Sequence, residues 1–121
     1  MSVLLWAGVV VIGGLGSVLR FLVDRSAAQR AATGFPLGTL TVNVTGSLLL
    51  GLVNGLTAVP DVLLLAGVAA IGSYTTFSTW MLETQRLGEE RQTGLAVGNL
   101  LISVILGVAA AALGRTIGVQ L

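Results

Sequence analysis

"GSYTTFSTW", residues 72–80, lies inside a charge-free run covering residues 62–82, so hydroxyl groups and aromatic rings crowd where the neighbours are Val, Leu, Ala and Ile. That setting decides the fold class. Of 121 residues, 55% are hydrophobic and 9% charged, a balance too apolar for a soluble domain of this size. Further charge-free runs cover residues 3–19, 31–60 and 92–114, and most of the four reach the roughly 20 residues that cross a hydrocarbon core about 30 Å thick. The runs show no apolar/polar alternation, and backbone polar groups in lipid must pair internally, so the spans are predicted to be helices and not barrel strands. The expected architecture is an all-α membrane protein, a single membrane domain over residues 1–121 with transmembrane helices at about 3–23, 36–58, 62–84 and 93–114.

Composition excludes several functions. With no cysteine and no histidine, disulfides, thiolate metal sites and imidazole acid–base chemistry are unavailable, so the chain is not expected to be an enzyme. A net charge of +1 without a basic cluster leaves nothing for nucleic acid to hold. The first run lacks a basic leader and a small-residue cleavage site, and is taken as a mature span. The connections are short: "DRSAAQRAATG", "VPD" and "RLGEERQT". Among 17 glycines, four-residue spacing recurs at Gly34 and Gly38, Gly51 and Gly55, Gly94 and Gly98, and Gly114 and Gly118. This spacing lets helix backbones approach closely, although glycine is also simply common in membrane helices.

Alternating spans put Arg20, Arg25, Arg30, Arg86 and Arg91 on one membrane side and Arg115 on the other. The positive-inside rule then places the Arg-rich loops in the cytoplasm and both termini outside. Arg20 and Glu83 sit at the same side, ending the first and third spans, where they either form a structural ion pair across helices or each snorkel to the headgroups.

Gly72 lies eleven residues beyond Asp61, a rise of about 16 Å and so near the bilayer midplane. Gly72, Ser73, Tyr74, Thr75 and Thr76 make a poor uninterrupted helix. A break is therefore expected in the third helix at the midplane. At that depth irregular backbone survives only when buried in protein or facing a water-filled cavity, and its freed carbonyls suit a cation while amides and hydroxyls suit an anion. The alternative is that Ser and Thr here only bond back to their own or a neighbouring helix. Thr39, Asn43 and Ser47 form a second polar series on one face of the second span, and Asn99 and Ser103 a thinner one on the fourth. Asn43 is the sharpest member, because an unpaired amide in lipid is costly. "NVT" at residues 43–45 matches a glycosylation sequon, but its depth makes the match accidental. Donor stripes without a basic residue suggest a path for a small hydrogen-bond acceptor; helix-packing glue is the competing reading.

Three stretches carry a family resemblance: "GGLGSVLRF" (13–21), "PLGTLTVNVTGSLLLG" (36–51) and "GSYTTFSTWMLE" (72–83). In order and spacing they resemble the signature stretches of the small bacterial fluoride channels, the Fluc or CrcB family. The resemblance implies a passive fluoride channel of the bacterial inner membrane that reduces fluoride toxicity. It also implies an antiparallel, dual-topology dimer with two pores and a central sodium ion that is structural and not transported. On this chain it assigns the sodium-binding carbonyls to Gly72 and Thr75. It makes Phe77 the first ring of the fluoride path, Asn43 a donor, Ser78 and Thr79 flanking hydroxyls, and Ser103 the polar position of the fourth helix. Trp80 stands where the family pattern has a second Phe, which leaves pore width and throughput open. The arginine asymmetry is a second departure: a homodimer that inserts both ways would show little bias, so the asymmetry points to a chain that inserts one way and pairs with an oppositely inserted homologue. The partner, a second copy or that homologue, stays open, with lipid around both.

Chemistry is consistent with that implication. Fluoride is small and tightly hydrated, so amides, hydroxyls and the positive edges of aromatic rings must replace its water. An inside-negative potential drives an anion outward by about 2.3 kcal/mol per 100 mV, so no pump is needed. The rival reading is a small four-helix drug or metabolite exporter, which usually depends on a membrane-embedded carboxylate; Asp61 and Glu83 both lie at span ends.

Overall fold

The computed structural model describes residues 2–30 and 34–121, and every described element is helical. The start of the second charge-free run, residues 31–33, lies outside the described residues. Helix α1 is Val3–Arg30 and α2 is Leu37–Leu56. The third span comprises α3, residues 60–74, and α4, Ser78–Glu89. The last helix, α5, is Thr93–Gln120. Among the described residues four helical spans are long and apolar enough to cross a membrane, Val3–Ala27, Leu37–Leu56, Pro60–Glu89 (α3 and α4 together) and Thr93–Gln120. This is a multi-pass membrane architecture.

Local sequence explains the ends. Pro60 opens α3 at its first turn with Asp61 beside it, where a missing N–H costs nothing and a carboxylate meets the positive helix end. Helix α4 closes with Arg91 at φ 61°, while the Gln92 N–H donates to the Leu87 carbonyl at 2.9 Å and the Arg91 N–H to the Gly88 carbonyl at 3.2 Å. That is a Schellman closure, and it turns the chain sharply into α5. Within α3, Leu63–Ile71 winds as a π-helix, a rare, wider turn that is frequent at functional sites.

Helix α2 makes its most extensive pairing with α5, while α1 packs on α2 and α3, and α4 packs on α5. The α2–α5 crossing is built on glycine. A Cβ at Gly51 would run into the Ala111 carbonyl, one at Gly114 into the Leu48 carbonyl and one at Gly118 into the Leu52 carbonyl. A Cβ at Gly55 would stand 2.5 Å from the Arg115 carbonyl. Two of the four-residue glycine pairs therefore face each other across one interface, the close approach that small residues permit in lipid. Gly94 meets nothing within 4 Å and Gly98 only the Phe35 ring edge and Ile102, so their spacing has no such use in this chain. Much of the rest of the surface is apolar, from Val3 and Leu4 on α1 to Ile105 and Val108 on α5, as a lipid-facing exterior requires.

Candidate functional site

Between α3 and α4, residues 75–77 are non-helical, and Thr75 is extended at φ −79° and ψ 162°. The Asn43 side chain occupies the gap. Its Nδ2 donates to the Thr76 carbonyl at 2.8 Å, and the Thr76 N–H donates to Asn43 Oδ1 at 2.8 Å. A primary amide thus substitutes for a peptide unit, pairing both backbone groups of one residue that the helix has released. Unpaired in an apolar interior, each would cost about 1–3 kcal/mol.

The same exchange releases carbonyls. The Thr76 N–H, which in a continuous helix would serve Gly72, goes to Asn43, and the Thr79 N–H, which would serve Thr75, goes to the Thr76 hydroxyl at 3.2 Å. Among the described residues, no hydrogen bond reaches the carbonyls of residues 72–75. Gly72 is exposed on the single chain, as is Phe77. Behind them Tyr74 is buried, its hydroxyl 2.8 Å from Thr45 Oγ1, and a Cβ at Gly46 would collide with Thr75 and crowd the Tyr74 ring. Helix α2 therefore holds the interruption with two polar contacts and one close approach.

Beside the interruption lies a cavity of about 460 Å³ between α2, the 75–77 segment and α5. Asn43, Ser47, Thr75, Thr76, Phe77, Trp80 and Ser103 reach it, its remaining walls are apolar or glycine, and no charged residue lines it. Phe77 and Trp80 meet edge to face, with centroids 5.7 Å apart and planes at 83°. That geometry presents a positive ring edge beside a negative ring face. Phe77 is 70% exposed in the single chain. The Trp80 indole N–H, the group that a Phe lacks, donates to the Asn99 carbonyl at 3.1 Å.

The structure brings Asn43, Phe77, Trp80 and Ser103 to one cavity. Thr79 faces instead a smaller cavity of about 190 Å³ that it shares with Arg20, Asp24 and Thr39. Ser78 is exposed and lines neither. Arg20 and Glu83 are not paired: among the described residues the one ion pair joins Arg86 to Glu90 at 3.7 Å. Glu83 takes its hydrogen bond from the buried Thr39 hydroxyl, because α2 places that residue between the ends of the first and third spans. Two site residues carry more than their sequence positions indicated. Thr76 is the hinge that Asn43 grips, and Asn99, fully buried, bonds Thr84 and Ser103. For Asn99 the signal was its helical spacing from Ser103; for Thr76 there was only its place in the polar stretch.

Comparison with known proteins places this arrangement. The family model described as CrcB-like protein, Camphor Resistance (CrcB), matches residues 7–115. The fluoride-specific ion channel FluC 2 of Mycobacterium bovis is 62% identical over 117 residues, which cover 97% of this chain and 93% of the relative. FluC 2 of Mycolicibacterium paratuberculosis is 59% identical over 114 residues, 94% of this chain and 93% of the relative. The fluoride-specific ion channel FluC 1 of Leifsonia xyli subsp. xyli is 40% identical over 122 residues, 98% of this chain and 89% of the relative. On this evidence the chain belongs to the CrcB family.

Proposed function

We propose that this protein is a fluoride-selective channel that lets fluoride leave the cytoplasm passively. The observation that carries the reading is the uncharged cavity where the Asn43 amide, the Ser103 hydroxyl and the edge-to-face Phe77–Trp80 pair converge. A conduction path must bind its ion well enough to admit it and weakly enough to release it. Ring edges and single donors meet that condition for a small anion, whereas a lysine or arginine in the wall would hold it. The absence of any carboxylate from the cavity wall speaks against a proton-coupled exporter.

The remaining assignments belong to the same proposal. Asn43, Phe77, Trp80 and Ser103 line the path, with Ser78 and Thr79 as flanking hydroxyls and Thr79 leading toward the Arg20 cavity. The interruption sits at the bilayer midplane, and the carbonyls of Gly72 and Thr75 hold a structural sodium ion shared with a second subunit. That subunit is an antiparallel copy or an oppositely inserted homologue; the exposure of Gly72 and Phe77 on the single chain supports a partner there. The Arg-rich ends face the cytoplasm across the inner membrane, with Arg20 and Glu83 at that same side.

Fluoride efflux from sodium-loaded liposomes tests the reading. The protein is expected to pass fluoride and not chloride, with Phe77→Ile and Asn43→Asp each cutting the rate by about tenfold or more. Equal passage of chloride, or no fluoride above empty liposomes, would sink it. Replacing sodium with a large organic cation is expected to weaken the dimer and slow efflux; no change in either removes the sodium assignment alone.

A further inference from the structure

We infer that Asn99 is a positioning residue that turns the Trp80 N–H out of the cavity, so that the larger ring offers the anion only a C–H edge. The inference rests on the channel reading of that cavity. Trp80 supplies a donor that would bind a small anion more tightly than a ring edge does, and the structure shows where that donor goes: into the Asn99 carbonyl on α5, at 3.1 Å. The Asn99 side chain, 0% exposed, fixes the two helices in that register. Its Nδ2 donates to Thr84 Oγ1 at 2.8 Å and reaches the Trp80 carbonyl at 3.5 Å. Thr84 itself donates to the Trp80 carbonyl at 2.8 Å, and the Ser103 hydroxyl closes the far side onto Asn99 Oδ1 at 3.5 Å.

Residues 80 and 84 are one turn apart on one face of α4, so Asn99 grips that face at both points. A buried amide is tolerated only when its polar atoms are paired, and here each atom that would otherwise be costly locks the indole's neighbour. Without the clip, α4 is free to rotate slightly against α5, and the indole N–H can turn toward the cavity and retain the ion. Asn99 therefore sets the chemical character of the second ring without touching the ion.

The test is a mutant cycle on the full-length protein in liposomes, with indole emission recorded in a Trp6→Phe background so that Trp80 reports alone. Asn99→Leu preserves volume and removes the clip; Thr84→Val removes its partner. Each is expected to slow fluoride efflux by about five- to tenfold, the equivalent of one lost hydrogen bond, and to move Trp80 emission to longer wavelength. In a Trp80→Phe background, which has no N–H to turn inward, the same substitutions are expected to leave efflux nearly unchanged. If they slow efflux equally there, the clip is merely structural and the inference fails. Unchanged emission in both single variants also overturns it. Where Asn99→Leu does not fold, the Thr84→Val arm carries the same cycle. Emission does not depend on conduction, so a wild-type protein that passed no fluoride would defeat the channel reading while the emission arm still decided the positioning of Trp80.

Discussion

Helix α2 meets the rest of the molecule in two different ways. Toward α5 it presents Gly51 and Gly55, and backbone touches backbone. Toward the interruption it presents Thr39, Asn43 and Thr45, and side chains hold Glu83, the Thr76 backbone and Tyr74. The difference follows from the solvent. Lipid gives helices no hydrophobic reason to associate, so they associate through close packing or through polar bonds. Toward α5 the glycines of α2 pack backbone on backbone, while toward the interruption polar bonds lead and Gly46 adds one close approach. Close packing fixes distance and carries no chemistry. Polar bonds hold a segment that cannot hold itself, and leave donors beside an open cavity.

The packed side is the one that a single atom can break. Gly114→Val would drive its side chain into the Leu48 carbonyl, and rigid backbone on both helices has nowhere to yield. We expect a loss of about 3 kcal/mol or outright failure to fold, seen as loss of the monodisperse species and of the thermal transition in detergent. Gly94→Ala, where nothing lies within 4 Å, is the matched control and should change stability by less than about 0.5 kcal/mol. Equal effects would dissolve the distinction between the glycines that pack and those that do not.

The polar side should fail more selectively. Asn43→Leu leaves the Thr76 N–H and carbonyl without their partner, at a cost of about 2 kcal/mol, and removes a donor from the cavity, so efflux should disappear while some folded protein survives. Tyr74→Phe removes only the contact to Thr45, whose hydroxyl keeps the Thr41 carbonyl at 2.6 Å; the expected cost is about 1 kcal/mol with efflux preserved. If Tyr74→Phe abolished efflux while Asn43→Leu did not, the assignment of support and function across the interruption would be reversed.

The two sides also differ in how legible they were. The four spans follow from charge-free length, because the thickness of a bilayer sets a ruler against which sequence can be measured. Asn43 stood out for the same reason, since an amide at that depth must be paired. Depth, however, is a coordinate along the membrane normal and says nothing of azimuth. Arg20 and Glu83 share a depth, yet Thr39 of α2 reaches Glu83 instead. Ser78, Thr79 and Trp80 are neighbours in sequence, yet Thr79 and Trp80 face different cavities. The partner of Asn43, the Thr76 backbone, was equally hidden, because a released peptide group has no residue type to announce it. Glycine spacing identified the α2–α5 interface along with Gly94 and Gly98, which do not pack closely, and Gly38, which packs against Asp24 of α1 instead; four-residue spacing alone does not say which helix, if any, a glycine meets.

The smallest expected effect separates the two uses of glycine. Among the described residues no glycine has positive φ, while Arg91 does, at 61°. Gly51, Gly55, Gly114 and Gly118 therefore serve proximity and not conformation, and the position that conformation alone would give to glycine holds an arginine. Arg91→Gly relieves the steric cost of a left-handed residue at the Schellman closure, offset in part by the extra freedom of glycine in the unfolded chain. The expected gain is about 0.5 kcal/mol, read as a small rise in the thermal midpoint, with fluoride efflux unchanged because the residue lies beyond the end of α4 and away from both cavities. A destabilisation would mean that the Arg91 side chain contributes more than its backbone costs. That outcome would give the α4–α5 turn an interaction of its own, beyond the hydrogen bonds that close it.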